Sequence, residues 1–206
     1  MYFVVVNTNI QRPRGRPRRF DPDEAIATAQ RLFHARGYDA VSVADLTQAL
    51  GINPPSFYAA FGSQAGLFAR ILGRYTDNEG VPLHEILLPG RPVAEALTAV
   101  LEEAARRYAC DPANPGSAAA GCLTIEGARC NDPEAREAAR TLAAAARDTL
   151  HGFVAATHPK AARRLTDYVV TLMAGLSSMD RSGHDVHSLL ATARIAALGI
   201  AQELRA

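Results

Sequence analysis

What the 206-residue sequence lacks narrows the field first. No stretch is long and apolar enough to cross a bilayer, so no membrane partner is expected. The opening MYFVVV is too short for the apolar core of a secretory signal and has no basic residues ahead of it. Cysteine is scarce: Cys110, Cys122 and Cys130 are the three, an odd number without C-x-x-C spacing. They cannot form a complete disulfide set, and a reducing, cytoplasmic setting is the simpler expectation. There is no Walker loop, no G-x-G-x-x-G, no H-E-x-x-H and no G-x-S-x-G, so no catalytic residue, cofactor or metal site is assigned and an enzyme is not expected. The acid pairs Asp23-Glu24 and Glu102-Glu103 are adjacent; on a helix they point to different sides and read as solvated. Aromatic residues make up 6%, too few for a ligand site built from stacked rings. Strand-like alternation is also rare.

What is there is ordinary in amount and uneven in placement. Hydrophobic residues are 48% and charged residues 21%, a soluble-protein composition with chain enough for one or two domains. The formal net charge of +1 hides an asymmetry. Arg12, Arg14, Arg16, Arg18 and Arg19 lie within the first 20 residues, which hold no acid. The remainder carries 17 basic residues against 21 acidic ones, a net of −4. A stiff cationic arm before a mildly acidic body suits a polyanionic partner.

Helix signals fill the rest. Asp21 can cap a first helix with Pro22 at its first position, Ile26, Ala29, Leu32 and Phe33 on its inner stripe, and Gly37 after its end. Ser42 can cap a second, with Val43, Leu46 and Leu50 inward and Gly51 stopping it. Asn53 can cap a third with prolines in its first turn, and Ser63 a fourth. Longer helices are predicted over Arg91–Cys110, Ala119–Cys130, Pro133–Thr157, Ala161–Met179 and Val186–Leu204. The expected fold is all-α: a three-helix helix-turn-helix unit followed by a helical bundle. The expected divisions are a basic arm over residues 1–20, a DNA-binding domain over 21–65 and a ligand-binding and dimerisation domain over 66–206.

The segment TAQRLFHARGYDAVSVADLTQALGINPPSFYAAFGSQAGLFARIL resembles the DNA-binding domain of the TetR/AcrR family of bacterial repressors. Phe33, Gly37, Tyr38, Ser42 through Leu46, Gly51-Ile52, Phe57-Tyr58, Phe61, Ser63 and Leu67 carry the resemblance, close over residues 16–75. GCLTIEGARCNDPEAREAAR resembles a subgroup with Gly-Cys-Leu ahead of an Asp-Pro helix start. The resemblance implies a homodimeric transcriptional regulator, a repressor by family habit, that binds a palindromic double-stranded DNA operator and is released by a small-molecule inducer.

Positions in a helix-turn-helix then assign the DNA contacts. The start of the reading helix supplies Asn53, Pro54, Pro55, Ser56 and Tyr58. Tyr58 matches the family tyrosine that touches the DNA backbone. Ser42 and Ser63, at helix N-termini, are candidates for phosphate. Where the family commonly has lysine after that serine, this chain has Gln64, which removes a counterion-releasing contact. Pro54 and Pro55 offer apolar edges for thymine methyl groups and shape readout, or else stiffen the helix start; both readings stand. In the arm, Arg14, Arg16, Arg18 and Arg19 around Gly15 and Pro17 look like an AT-hook that enters the minor groove, against the alternative of a solvated tail. An architectural AT-rich DNA binder using that arm is the competing function.

In the bundle, Leu165, Val169, Leu176 and Met179 on one helix and Leu189, Ala193, Ala196 and Ile200 on the next lie at coiled-coil-like spacing; such faces could be core alone, and the family resemblance implies that they form a four-helix dimer interface. Tyr108, Cys122, Leu123, Phe153, Tyr168, Leu172 and Met173 are candidate pocket residues, each equally compatible with core. Cys122 and Cys130 are expected on one face of one helix, two turns apart. They either pack as small hydrophobes or, with Cys110, sense oxidants, electrophiles or a soft metal.

Overall fold

Each of the first four helices begins at a residue whose side chain accepts an otherwise orphaned amide. In the computed structural model, which describes residues 21–109 and 121–205, α1 spans Pro22–Arg36 and Asp21 accepts from the amides of Asp23 and Glu24. α2 spans Val43–Leu50, and Ser42 and Asp45 cap one another reciprocally. α3 spans Pro54–Phe61 behind Asn53, which accepts from the Ser56 amide at 2.9 Å. α4 spans Gln64–Asn78 behind Ser63, which accepts from the Gly66 amide at 2.8 Å. Prolines at the first positions of α1 and α3 sit where no helical amide bond is lost. Gly51 turns the chain between α2 and α3 in the left-handed conformation.

An aromatic cluster fixes these helices against one another. Phe33 stacks on Tyr38, and Phe68 from α4 meets both edge-on at 5.1 and 4.8 Å. Phe57 and Phe61 hold α3 onto the same core beside Leu46 and Leu67, all at most 4% exposed. A fully buried ring or leucine of this kind contributes about 2 kcal/mol of transfer free energy, so the head is a rigid support for whatever α3 presents.

The rest consists of α5 (Leu83–Ile86), α6 (Val93–Tyr108), α7 (Leu123–Gly127), α8 (Pro133–Ala155), α9 (Pro159–Arg181) and α10 (Val186–Glu203); among the described residues there is no strand. α6 lies against both α9 and α10, while α8 packs on α9, α7 and α4. α4 therefore touches both α1 in the head and α8 in the body.

Two expectations are corrected here. The helix predicted over Ala119–Cys130 is the short α7, with Cys122 as its N-cap and Cys130 beyond its end, so the two thiols do not share a helix face. The cause is Gly121. Its φ is +73°, its amide donates to Asp180, and a Cβ there would stand 2.5 Å from the Ser177 hydroxyl and 2.7 Å from its carbonyl oxygen. Gly121, held this tightly against α9 at this φ, is itself not helical, and α7 begins after it. The second correction concerns the dimer residues. Leu165, Val169, Leu176, Leu189, Ala193, Ala196 and Ile200 are at most 4% exposed within the single chain. They pack in the chain's own core, where α6 meets α9 and α10, and have no free surface for a second copy. Met179 is half-buried and packs against the same core. The apolar groups left outward on these helices are Tyr168, Ile195 and Leu198, the last two 70% and 71% exposed.

Candidate nucleic-acid interface and ligand cavity

The reading helix shows one ridge. Asn53, Pro54, Pro55, Ser56 and Tyr58 are all exposed, while Phe57 between them is fully buried. Tyr58, half exposed, rests edge-on against Phe57 at 5.5 Å, so its ring is supported and its hydroxyl free of the core. Asn53 already spends its side-chain oxygen as cap of α3. What remains for a base or phosphate there is its amide NH₂ and the Ser56 hydroxyl, in a rim otherwise of proline carbon.

Ser42 is placed differently from the expectation. Its hydroxyl donates to Asp45 at 2.5 Å and accepts from the Asp45 amide, and its own amide donates to the same carboxylate at 2.8 Å. Arg36 bonds the other oxygen of Asp45 at 3.1 Å. The Ser42 hydrogen bonds, ahead of Arg36, hold the Asp45 carboxyl down at about 2. Ser42 is thus engaged as the cap of α2, in a reciprocal pair with Asp45, and stays exposed. Gln64 is also engaged: its Nε2 donates to the Val41 carbonyl at 2.8 Å, tying the start of α4 to the approach of α2. Ser63 and Gln64 are both half-buried beside the exposed Gly62. Arg14, Arg16, Arg18 and Arg19 lie outside the described residues, as does Cys110.

The body holds a cavity of about 310 Å³ between α4, α5, α6, α7, α8 and α9. Its wall is mostly apolar, from residues such as Val81, Ile125, Leu142 and Leu150, with Thr76, Thr124, Arg129 and Arg147 as polar points. Of the predicted pocket residues, Tyr108, Cys122 and Met173 line it. The others do not. Leu123 is 2% exposed and packed in the core. Phe153 lines a separate recess of about 230 Å³ with Pro89 and His158. Tyr168 lies on the outer side of α9 against Gly199, and Leu172 packs half-buried beside the core without reaching the cavity. Helical periodicity places these residues on faces but not against a particular void. Tyr75, on the buried stripe of α4, was missed although its spacing from Leu72 and Phe68 marks the inner face.

Cys122 has the most structured environment in the wall. Tyr75 and Tyr108 line the same cavity beside it. Burial, with Cys122 as the next contributor, holds both phenols well above their ordinary range, so both stay neutral. The Cys122 amide donates to Ser177 at 2.9 Å, fixing the thiol's position on α9. Cys130, in contrast, is buried near Asp132, and burial pushes its thiol up. No helix among the described residues is long and apolar enough to cross a membrane.

Residues 25–71 match the family model described as bacterial regulatory proteins, tetR family. Over 192 residues the chain is 48% identical to the HTH-type transcriptional repressor BdcR of Escherichia coli strain K12, covering 93% of this chain and 95% of that protein. The HTH-type transcriptional repressor ComR of the same organism is 34% identical over 135 residues, 65% of this chain and 61% of ComR. Among solved structures, a cysteine mutant of the TetR family transcriptional regulator CifR, in complex with 26-bp double-strand operator DNA, is 30% identical. It aligns with a TM-score of 0.74 over 88% of this chain and 98% of that one. A capped helix-turn-helix with an exposed reading ridge, carried on a helical body and matched along nearly its whole length by such a relative, places this chain in the TetR family of bacterial regulatory proteins.

Proposed function

We propose that the chain is a homodimeric, ligand-responsive transcriptional repressor acting in the cytoplasm on a palindromic operator. The observation that carries this is the exposed ridge Asn53–Tyr58 on a rigid aromatic core, in a chain whose relative CifR was solved on operator DNA. Asn53 and Ser56 give the polar base contacts, Pro54 and Pro55 the apolar ones, Tyr58 and the Ser63–Gln64 turn the backbone contacts, and the arginine arm the adjacent minor groove. Two copies join through the outward faces of α9 and α10, where Tyr168, Ile195 and Leu198 are exposed, and set two reading heads about 34 Å, or a multiple of it, apart. The inducer is an uncharged, mainly apolar small molecule that fits the 310 Å³ cavity.

The test is binding to the DNA upstream of the chain's own gene at two salt concentrations against random-sequence competitor. Competitor-resistant binding to one palindrome supports the regulator. Binding equal on all DNA that collapses with salt supports the architectural reading through the arm. A specific observation favours a second reading of the cavity: Cys122 lines it together with Tyr75 and Tyr108, where a thiol-reactive compound that enters the cavity would meet its side chain. Mass spectrometry after limiting N-ethylmaleimide decides this, since a sensor labels at Cys122 before Cys130 and loses operator affinity on labelling.

A further inference from the structure

We infer that the segment Cys122–Asp132 is a latch that reports the state of the cavity to the reading head, and that Tyr38 and Asp39 are the head residues it grips. This rests on the cavity being the ligand site. Cys122, Thr124, Ile125, Ala128 and Arg129 all line that cavity, so α7 and the turn after it form one of its walls. The wall is tied to α9 at its start, through the amides of Gly121 and Cys122. At its other end it runs into a loop that holds the head.

That grip is specific and polar. The Asn131 amide donates to both carboxylate oxygens of Asp39, at 2.9 and 3.2 Å. The Tyr38 hydroxyl donates to one oxygen of Asp132 at 3.0 Å. The other oxygen of Asp132 caps α8, accepting from the amides of Glu134 and Ala135. Arg136 braces the loop by donating to the carbonyls of Cys130 and Asn131. The loop is therefore anchored in α8, and Tyr38 cannot move with the head without breaking its bond to Asp132.

A second, apolar contact leads from the same wall to the same residue. Gly127 lies so close to the Phe68 ring that a Cβ would stand 2.8 Å from it. Phe68 in turn meets Tyr38 and Phe33 edge-on. A displacement of α7 is met by Phe68 on one side and by the Asp132 loop on the other, and both converge on Tyr38. Tyr38 lies four residues before Ser42, the cap of α2, so its position sets where α2 and the reading helix stand. α4 alone gives the body a hinge to the head; the latch fixes the angle about it.

Thermodynamic linkage supplies a test that needs no knowledge of the natural inducer. If occupancy of the cavity disfavours the DNA-bound arrangement, bound operator weakens cavity binding by the same factor. The neutral apolar dye N-phenyl-1-naphthylamine, whose fluorescence rises in an apolar site, is titrated into the full-length protein with and without saturating operator duplex. Wild type, Tyr38→Phe and Asp39→Ala are compared. Tyr38→Phe keeps the ring stacked on Phe33 and removes only the bond to Asp132. The expected wild-type ratio of dye Kd values with and without operator is about fivefold or more. In each variant it falls below about half the wild-type value, while dye affinity without DNA stays within twofold of wild type. A wild-type ratio well above one that both variants retain in full overturns the latch and leaves the ligand-responsive reading intact. Absent dye binding to wild type, or a wild-type ratio of one, overturns that reading and the latch with it. A merely structural role for Tyr38 would lower thermal stability and leave the ratio unchanged.

Discussion

Acidification should loosen the seam between α1 and α4 through a single imidazole, His34. The ring is 4% exposed, lies edge-on to Tyr75 at 5.3 Å, and its Nε2 has no hydrogen-bond partner. Burial is the main cause that lowers its pKa from 6.5 to about 4, with Glu79 opposing and Arg181 adding to the shift. The sign follows from which state takes up the proton first. The unfolded chain binds it near the ordinary value and the folded chain resists, so the stability is present above 6.5 and is lost as the pH falls towards 4. At 1.36 kcal/mol per unit, the loss reaches about 2 kcal/mol by pH 5 and about 3 kcal/mol by pH 4. Against a typical domain stability of about 5–15 kcal/mol, that is a large part. Asp45 titrates at about 2, below this window. The assay is urea unfolding of wild type and His34→Phe at pH 7, 6 and 5. Phenylalanine keeps an apolar ring against Tyr75 and cannot be protonated, and carboxylates common to both chains cancel in the difference. The gap between the two unfolding free energies should shift in favour of the variant by about 2 kcal/mol from pH 7 to pH 5. Parallel pH profiles would refute the reasoning.

Other outcomes follow from the interface and the core. Gln64→Lys gives up the bond to Val41 and adds one phosphate contact per head, so the log–log salt slope of operator binding should steepen by about 1.8 per dimer, close to a tenfold greater loss of affinity between 50 and 200 mM salt. Ser56→Ala should cost about 1–3 kcal/mol at one operator position with no change in Tm, read by competition with singly substituted duplexes. Gly121→Ala combines a positive φ with a clash against Ser177 and should destabilise the chain by about 3 kcal/mol in denaturant unfolding. Leu198→Glu, on an outward face, should leave the fold intact and yield monomers in sedimentation; Leu189→Ala, fully buried, should cost about 2–5 kcal/mol of stability.

The sequence by itself determined the helix starts of the head. Asp21, Ser42, Asn53 and Ser63 act on amides two or three residues away, a range at which side-chain chemistry decides without help from distant residues. It also put Asn53, Pro54, Pro55, Ser56 and Tyr58 at the start of the third helix, where they stand exposed around the buried Phe57. What only the tertiary structure decided is which partner covers each stripe. The apolar faces of α9 and α10 have a spacing that suits a seam between two chains as well as a core, the family resemblance pointed to the seam, and α6 took them. Periodicity reports that a face is buried but not by what. The same limit hid the cavity, because that void is defined by six helices at once, and it hid the link from Tyr38 to Asp132, 94 residues apart. Local hydrogen bonds are written in adjacent residues; packing partners are chosen only when the whole chain has competed for each surface.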